Sequence, residues 1–168
     1  MNKIETEKKY IIRKPSYKTV SEQKAFTESE ILQIYLESEF VTHRVRRRKF
    51  SYGKTEYTEN KKVRITPMSS EEYEREISEE EFYSLAKNIE KGASELHKIR
   101  LTFEWRGKTF EIDLYEPWKK TCIMEIELEC EDEEIVMPQF IEVLSDVTGK
   151  REYSNHSMAH KFPEEIIG

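Results

Sequence analysis

Near the amino end of the chain, Glu5, Glu7 and Lys9 stand at alternate positions. In an extended strand residues i and i+2 share a face, so these three side chains project together. The same rule finds more faces of one sign further along. Arg44, Arg46 and Arg48 share a face opposite Val45, and Lys98 and Arg100 share one opposite Ile99, Leu101 and Phe103. Glu111 and Asp113 oppose Phe110, Ile112 and Leu114; Glu125, Glu127 and Glu129 oppose Met124, Ile126, Leu128 and Cys130. Carboxylates grouped on one face suit hard divalent cations, which take oxygen ligands. Guanidinium and ammonium groups suit phosphate. Any one of these strands alone reads as an ordinary half-solvated strand. The set does not, because surface strands mix their signs to avoid repulsion in register. A sheet curled with its charged faces inward would need metal cations against its acidic strands and a polyphosphate against its basic ones.

The positioning elements are mostly strands. Residues 3 to 12, 41 to 50, 55 to 66 and 70 to 77 alternate, with turns or breaks at Pro15, Gly53 and Pro67. Residues 96 to 105 and 108 to 116 read as a hairpin turning at Arg106-Gly107, and 121 to 131 as a further strand. Residues 21 to 38 carry a helix signal, since Thr27 and Glu30 form a capping-box pattern ahead of Ile31, Leu32, Ile34 and Leu36; Gln33 to Leu36 could equally begin a strand. Ser78 with Glu81 caps a second helix striped by Phe82, Leu85, Ala86 and Ile89 and closed by Gly92. A third is expected over Met137 to Leu144. Short turns between successive strands favour an antiparallel sheet or barrel.

Composition supports one folded domain over residues 1–168. Charged residues make up 37% of the chain, but 9 Tyr, 8 Phe and 2 Trp oppose disorder. The net charge of -6 argues against a general nucleic-acid binder. The amino end has no apolar signal region, and no run approaches ~20 apolar residues. A cytoplasmic protein is expected, with Cys122 and Cys130 as reduced thiols. His43, His97, His156 and His160 lie scattered without zinc spacing, and surface or hairpin roles are expected for them.

The motifs, taken in order, resemble the CYTH superfamily of triphosphate tunnel metalloenzymes. Glu5-Thr6-Glu7-Lys8-Lys9 matches its opening ExExK motif. Gln33-Ile34-Tyr35-Leu36, Arg44-Val45-Arg46, Lys98-Ile99-Arg100, Glu111-Ile112-Asp113 and Met124-Glu125-Ile126-Glu127-Leu128 resemble its following strands. Asp146-Val147-Thr148 and Tyr153-Ser154-Asn155 resemble its close. Departures are present. Ser69-Ser70 stand where the family often has Arg, Glu152 separates Arg151 from Tyr153, and the basic strand before them offers both Lys61 and Lys62, of which Lys61 is preferred.

The resemblance implies a mainly β fold, an eight-stranded antiparallel barrel tunnel with flanking helices. By motif, Glu5, Glu7, Lys9 and Glu127 would carry catalysis. Glu5, Glu7, Asp113, Glu125 and Glu127 would hold Mg²⁺ or Mn²⁺. Lys9, Arg44, Arg46, Lys61, Lys98 and Arg100 would bind the substrate. One metal would bridge phosphate oxygens and another would activate water. The implied reaction is hydrolysis of inorganic, thiamine or nucleoside triphosphate. The alternatives are a class IV adenylate cyclase and a non-catalytic polyphosphate or nucleotide-binding module. The expected partner is a small triphosphate, with no nucleic acid and no membrane, and a homodimer is left open. Tyr153 and Asn155 are expected to pin the carboxyl-terminal segment.

Overall fold

A computed structural model describes residues 2–39 and 42–166. The strands are β1 (Asn2–Arg13), β2 (Lys24–Tyr35), β3 (Thr42–Phe50), β4 (Thr55–Arg64), β5 (Ser69–Glu76), β6 (Leu96–Trp105), β7 (Lys108–Leu114), β8 (Thr121–Glu127) and β9 (Val143–Asp146). Three short helices accompany them: α1 (Tyr17–Ser21), α2 (Glu79–Ala86) and α3 (Asn155–His160). The sheet runs β5-β4-β3-β2-β6-β7-β8-β1-β9, and pairing of β5 with β1 closes its first eight strands into an antiparallel barrel. Strand β1 does this by dividing its length. Thr6 and the residues before it pair with β5, while Glu7 to Arg13 pair with β8. The barrel expected from the motifs is thus the barrel found. No helix among the described residues is long and apolar enough to cross a membrane.

Most of the apolar core lies outside the barrel wall. Leu101, Phe103, Phe110, Ile112, Met124 and Ile126 form a buried outer face on β6, β7 and β8, covered by Phe26, Met137, Phe140 and Ile141. Leu32, Ile34 and Val45 form a second such face under Phe82 and Leu85 of α2. Ser78 caps that helix as expected, accepting a hydrogen bond from the Glu81 amide at 3.0 Å. The chain passes from β6 to β7 through Arg106 (φ 49°) and Gly107 (φ 76°), the paired left-handed turn that suits strand twist.

Two expected helices are replaced by other structure. Residues 24 to 35 are strand β2, not helix. From Ile31 to Leu36 every residue is buried, because the lumen covers one face and α2 the other. That continuous burial erases the alternation that marks a half-exposed strand. Met137 to Leu144 forms no helix. Met137, Phe140 and Ile141 lie as an irregular cover on the β6–β8 face, and the chain then enters β9, which pairs with β1.

The lumen is charged along most of its length and apolar at one end. Beyond Lys9 on the same face of β1 comes Ile11, beyond Glu125 comes Ile123, beyond Asp113 comes Tyr115, and beyond Lys98 comes Leu96. These four pack with Trp118, Val147 and Met158 of α3 into a buried plug. The carboxyl-terminal segment is tied down over it. Tyr115 donates its hydroxyl to Asn155 Oδ1 at 2.6 Å, and Trp118 donates Nε1 to the Pro163 carbonyl at 2.9 Å.

Gly149 closes the loop after β9. It has a φ of +73°, and a Cβ placed there would sit 2.7 Å from Pro67 Cβ and 3.1 Å from the Pro67 carbonyl oxygen. Strain and overlap act together, so Gly149→Ala is expected to destabilise the protein by about 2–3 kcal/mol. Urea unfolding measures this, and an unchanged midpoint would contradict the close approach of these two loops.

Candidate active site

The lumen encloses a cavity of about 880 Å³. From β1 it receives Glu5, Glu7 and Lys9, from β3 Arg44, Arg46 and Arg48, from β4 Lys62 and Arg64, and from β5 Glu72 and Glu74. Arg100, Glu111, Glu125 and Glu127 complete the charged lining from β6, β7 and β8. In the eight-strand ring, β3 and β8 lie four strands apart. The arginine strand therefore faces the Glu125–Glu127 strand across the lumen, and the segregation read along the chain becomes two opposed walls.

The basic wall has unspent hydrogen-bonding capacity. Among the described residues, Nε of Arg44 and Nε of Arg46 are buried without a hydrogen-bond partner, and Nη2 of Arg46 lies 3.7 Å from Glu74. Burial, with Arg44 and Arg100 nearby, pulls the Arg46 guanidinium down to about 10. A cation destabilised by burial and by like charges is relieved by an anion. Arg100 is in a different state. Its Nε and Nη2 donate to the two oxygens of Asp113 at 2.8 and 2.9 Å, and its Nη1 donates to Glu111 at 2.9 Å.

The acidic wall shows the opposite tension. Burial and the charges of Glu125 and Glu5 push Glu7 well above the usual carboxylate range. Desolvation, Glu111 and Glu5 push Glu127 up as well. Glu125 is held low against its own burial by Lys9 and Arg100. Glu5 is held at about 2, against burial, chiefly by Lys62, whose Nζ lies 3.0 Å from Glu5 Oε1. Glu72 is pushed up by burial and by neighbouring Glu5, with its buried Oε2 3.7 Å from Lys62 Nζ. Carboxylates from three adjacent strands facing one cavity, with Glu7, Glu72 and Glu127 each pushed up by burial and by neighbouring carboxylates, fit a hard divalent cation.

Of the residues expected from sequence, Glu5, Glu7, Lys9, Arg44, Arg46, Arg100, Glu125 and Glu127 line this one cavity. Three are placed otherwise. Lys61 is exposed on the outer face of β4; Lys62 points inward, as the alternation of Asn60, Lys62 and Arg64 requires. Lys98 and Asp113 lie deeper on the lumen face, between this cavity and the plug, with side chains 1% exposed, joined at 2.9 Å. Arg100 and Lys98 hold Asp113 at about 2 against its burial. Their geometry makes them a buried support for Arg100 rather than groups open to a ligand.

Charged lining residues outside the expected site set include Arg48, Lys62, Arg64, Glu72, Glu74 and Glu111. The i+2 rule points to Arg48 from Arg46 and to Glu74 from Glu72. The same rule reaches Arg64 from Lys62 once the register of β4 is known, and the pairing of Lys62 with Glu72 then turns Glu72 inward as well. Lys9 links the site to the carboxyl-terminal motif, donating Nζ to the Tyr153 carbonyl at 3.2 Å, while Asn155 is held by Tyr115. His156 and His160 lie near the surface and meet at Glu90, a partner that their own spacing does not indicate.

A search of solved structures finds this architecture elsewhere. The crystal structure of the inorganic triphosphatase NE1496 superposes with a TM-score of 0.59 at 22% identity, covering 95% of this chain and 96% of that one. The chain has the triphosphate-tunnel fold. The PH1819 protein from Pyrococcus horikoshii shares it at a TM-score of 0.54 and 22% identity, over 73% of this chain and 77% of that one. No protein-family model matches the chain, and no curated protein matches it. The fold implied by the CYTH resemblance is the fold present, and in such a tunnel the lumen is where a ligand would bind.

Proposed function

We propose that this tunnel protein hydrolyses a triphosphate with the help of Mg²⁺ or Mn²⁺. The observation that carries this reading is the opposition of a basic and an acidic wall, both largely shielded from solvent, in one cavity. One wall holds two guanidinium groups whose Nε atoms are buried without a hydrogen-bond partner, and the other holds carboxylates that repel one another. A pure anion binder would have no use for the second wall. The description of NE1496, a neighbour with the same fold, as an inorganic triphosphatase supports the assignment.

In this reading Arg44 and Arg46 grip phosphate oxygens, with Arg48 and Lys62 beside them. A guanidinium can present two parallel donors to one phosphate. Lys9, held between the Tyr153 carbonyl and Glu125, stands where the two walls meet. Asp113 and Glu111 fix the Arg100 fork, so its charge bears on the cavity from a set position. Glu5, Glu7, Glu125 and Glu127 would hold the metal. When bound, such a metal neutralises phosphate charge and acidifies a water for attack on phosphorus. The enclosing wall excludes bulk water, which strengthens each of these interactions.

The test is incubation with tripolyphosphate, thiamine triphosphate and ATP, each with Mg²⁺ or Mn²⁺. Orthophosphate release from at least one of them, lost on chelation, is the expected outcome. Cyclic AMP with pyrophosphate would replace the hydrolase reading with a cyclase. Binding without turnover of any of the three would make the protein a polyphosphate-binding module.

A further inference from the structure

Glu90, His156 and His160 converge from distant parts of the chain. Glu90 lies in the connection from α2 to β6, and the two histidines stand four residues apart on α3, hence on one helix face. His160 Nε2 is 2.7 Å from Glu90 Oε1, and His156 Nε2 is 3.1 Å from Glu90 Oε2. One ligand atom from each residue lies within 4.8 Å of the other two. We propose that these three residues form a second metal site, of a different chemical class from the tunnel carboxylates, that takes Zn²⁺ or a similar borderline cation and fastens α3 to the barrel.

The donor set decides the class. Two imidazole nitrogens and one carboxylate oxygen suit Zn²⁺ and its first-row neighbours, whereas Mg²⁺ prefers oxygen alone. In a tetrahedral zinc site, bonds of about 2.0–2.1 Å place the ligand atoms about 3.3 Å apart. The contacts of 2.7 and 3.1 Å are near that separation, so rotation of the side chains suffices to open a centre between them. Glu90, His156 and His160 are respectively 24%, 37% and 32% exposed at the side chain, leaving the remaining coordination position to water.

The backbone around the site is already fixed. The Glu90 amide donates to the Tyr35 carbonyl at 2.8 Å, and Leu36 bridges Ile89, which ties the Glu90 loop to the end of β2. On the other side the Ser94 amide donates to the Ala159 carbonyl at 2.8 Å, and Met158 and Ala159 are buried. The His156 ring rests 5.1 Å from that of Tyr35. Gly92 turns the chain beside the His160 ring with a φ of +85°, a conformation that favours glycine. His156 also lines the tunnel cavity, so a cation held here would fasten the helix that closes the lumen.

The experiment uses the full chain stripped by chelator, carrying Glu7→Gln and Glu127→Gln so that the tunnel carboxylates compete less. Calorimetric titration with Zn²⁺ alone, and visible absorption with Co²⁺ alone, report binding whether or not the protein turns over substrate. The expected result is one Zn²⁺ per chain, a Co²⁺ spectrum of low coordination number, and no comparable binding of Mg²⁺ at this site. His160→Ala, and separately the near-isosteric Glu90→Gln, should each weaken Zn²⁺ by at least about 10-fold with an unchanged far-ultraviolet circular dichroism spectrum. Absence of Zn²⁺ binding in the stripped protein, or equal affinity in both folded variants, would overturn the proposal. Loss of triphosphatase activity would not bear on it, so the two readings fail separately.

Discussion

Glu127→Gln is expected to lower metal-dependent triphosphate turnover by at least about 100-fold at limiting Mg²⁺ while leaving the fold intact. The argument rests on what this carboxylate does and does not touch. Glu127 lies at the open end of β8, on the same face as Glu125 and in register with Glu7 across β1. Its strongest neighbours are other carboxylates, Glu111 and Glu5, which together with desolvation already push it toward protonation. A neutral amide therefore removes little that holds the chain together and relieves some repulsion. Glu125 is a poorer choice, because Lys9 and Arg100 depend on its charge and would be left with less compensation in a buried place. The measurement is initial rate against Mg²⁺ concentration. A ligand role predicts a rise in the half-saturating concentration as well as a fall in rate, and a wild-type curve from the folded variant would remove Glu127 from the metal set.

Arg46→Ala should cost about 2–4 kcal/mol of transition-state stabilisation, while its neighbour Arg47→Ala leaves turnover within about two-fold. Both residues lie on β3, one position apart, and so on opposite faces of the wall. Arg46 faces the lumen with its Nε unpartnered, whereas Arg47 is on the outer surface and donates Nη1 to the Tyr83 hydroxyl at 3.1 Å. The pair separates lumen chemistry from the general effect of removing one positive charge from a protein of net charge -6. Similar kcat/KM values for the two variants would show that the basic wall does not carry the substrate. Arg100→Ala is a less clean test, since it also abandons Asp113 and Glu111 in the wall.

Much of this was legible before any coordinates, and the reason is geometric. Strand alternation transfers directly into inward and outward, so Glu5 with Glu7, Arg44 with Arg46, and Glu125 with Glu127 were placed correctly by counting in twos. Counting fails where its assumption fails. At Ile31 to Leu36 both faces are buried, and the apolar run fits a helix or, from Gln33 on, a strand. Between Lys61 and Lys62 the local pattern left the register open, and pairing of Lys62 with Thr42 and Glu72 settles it. Lys98 and Asp113 have the right parity, yet they neutralise each other at 2.9 Å, deeper on the lumen face. Alternation gives the direction of a side chain but not what it meets. For the same reason Glu90 stayed silent, being separated by 66 residues from His156, its partner on α3.

The apolar plug of Ile11, Ile123, Tyr115 and Leu96 has a further bearing on the proposed chemistry. Carbon side chains there offer no ligand to a cation and almost no donor to a phosphate. The charge of a bound polyphosphate would therefore stop short of them, which bounds on that side the length of anion the lumen can neutralise.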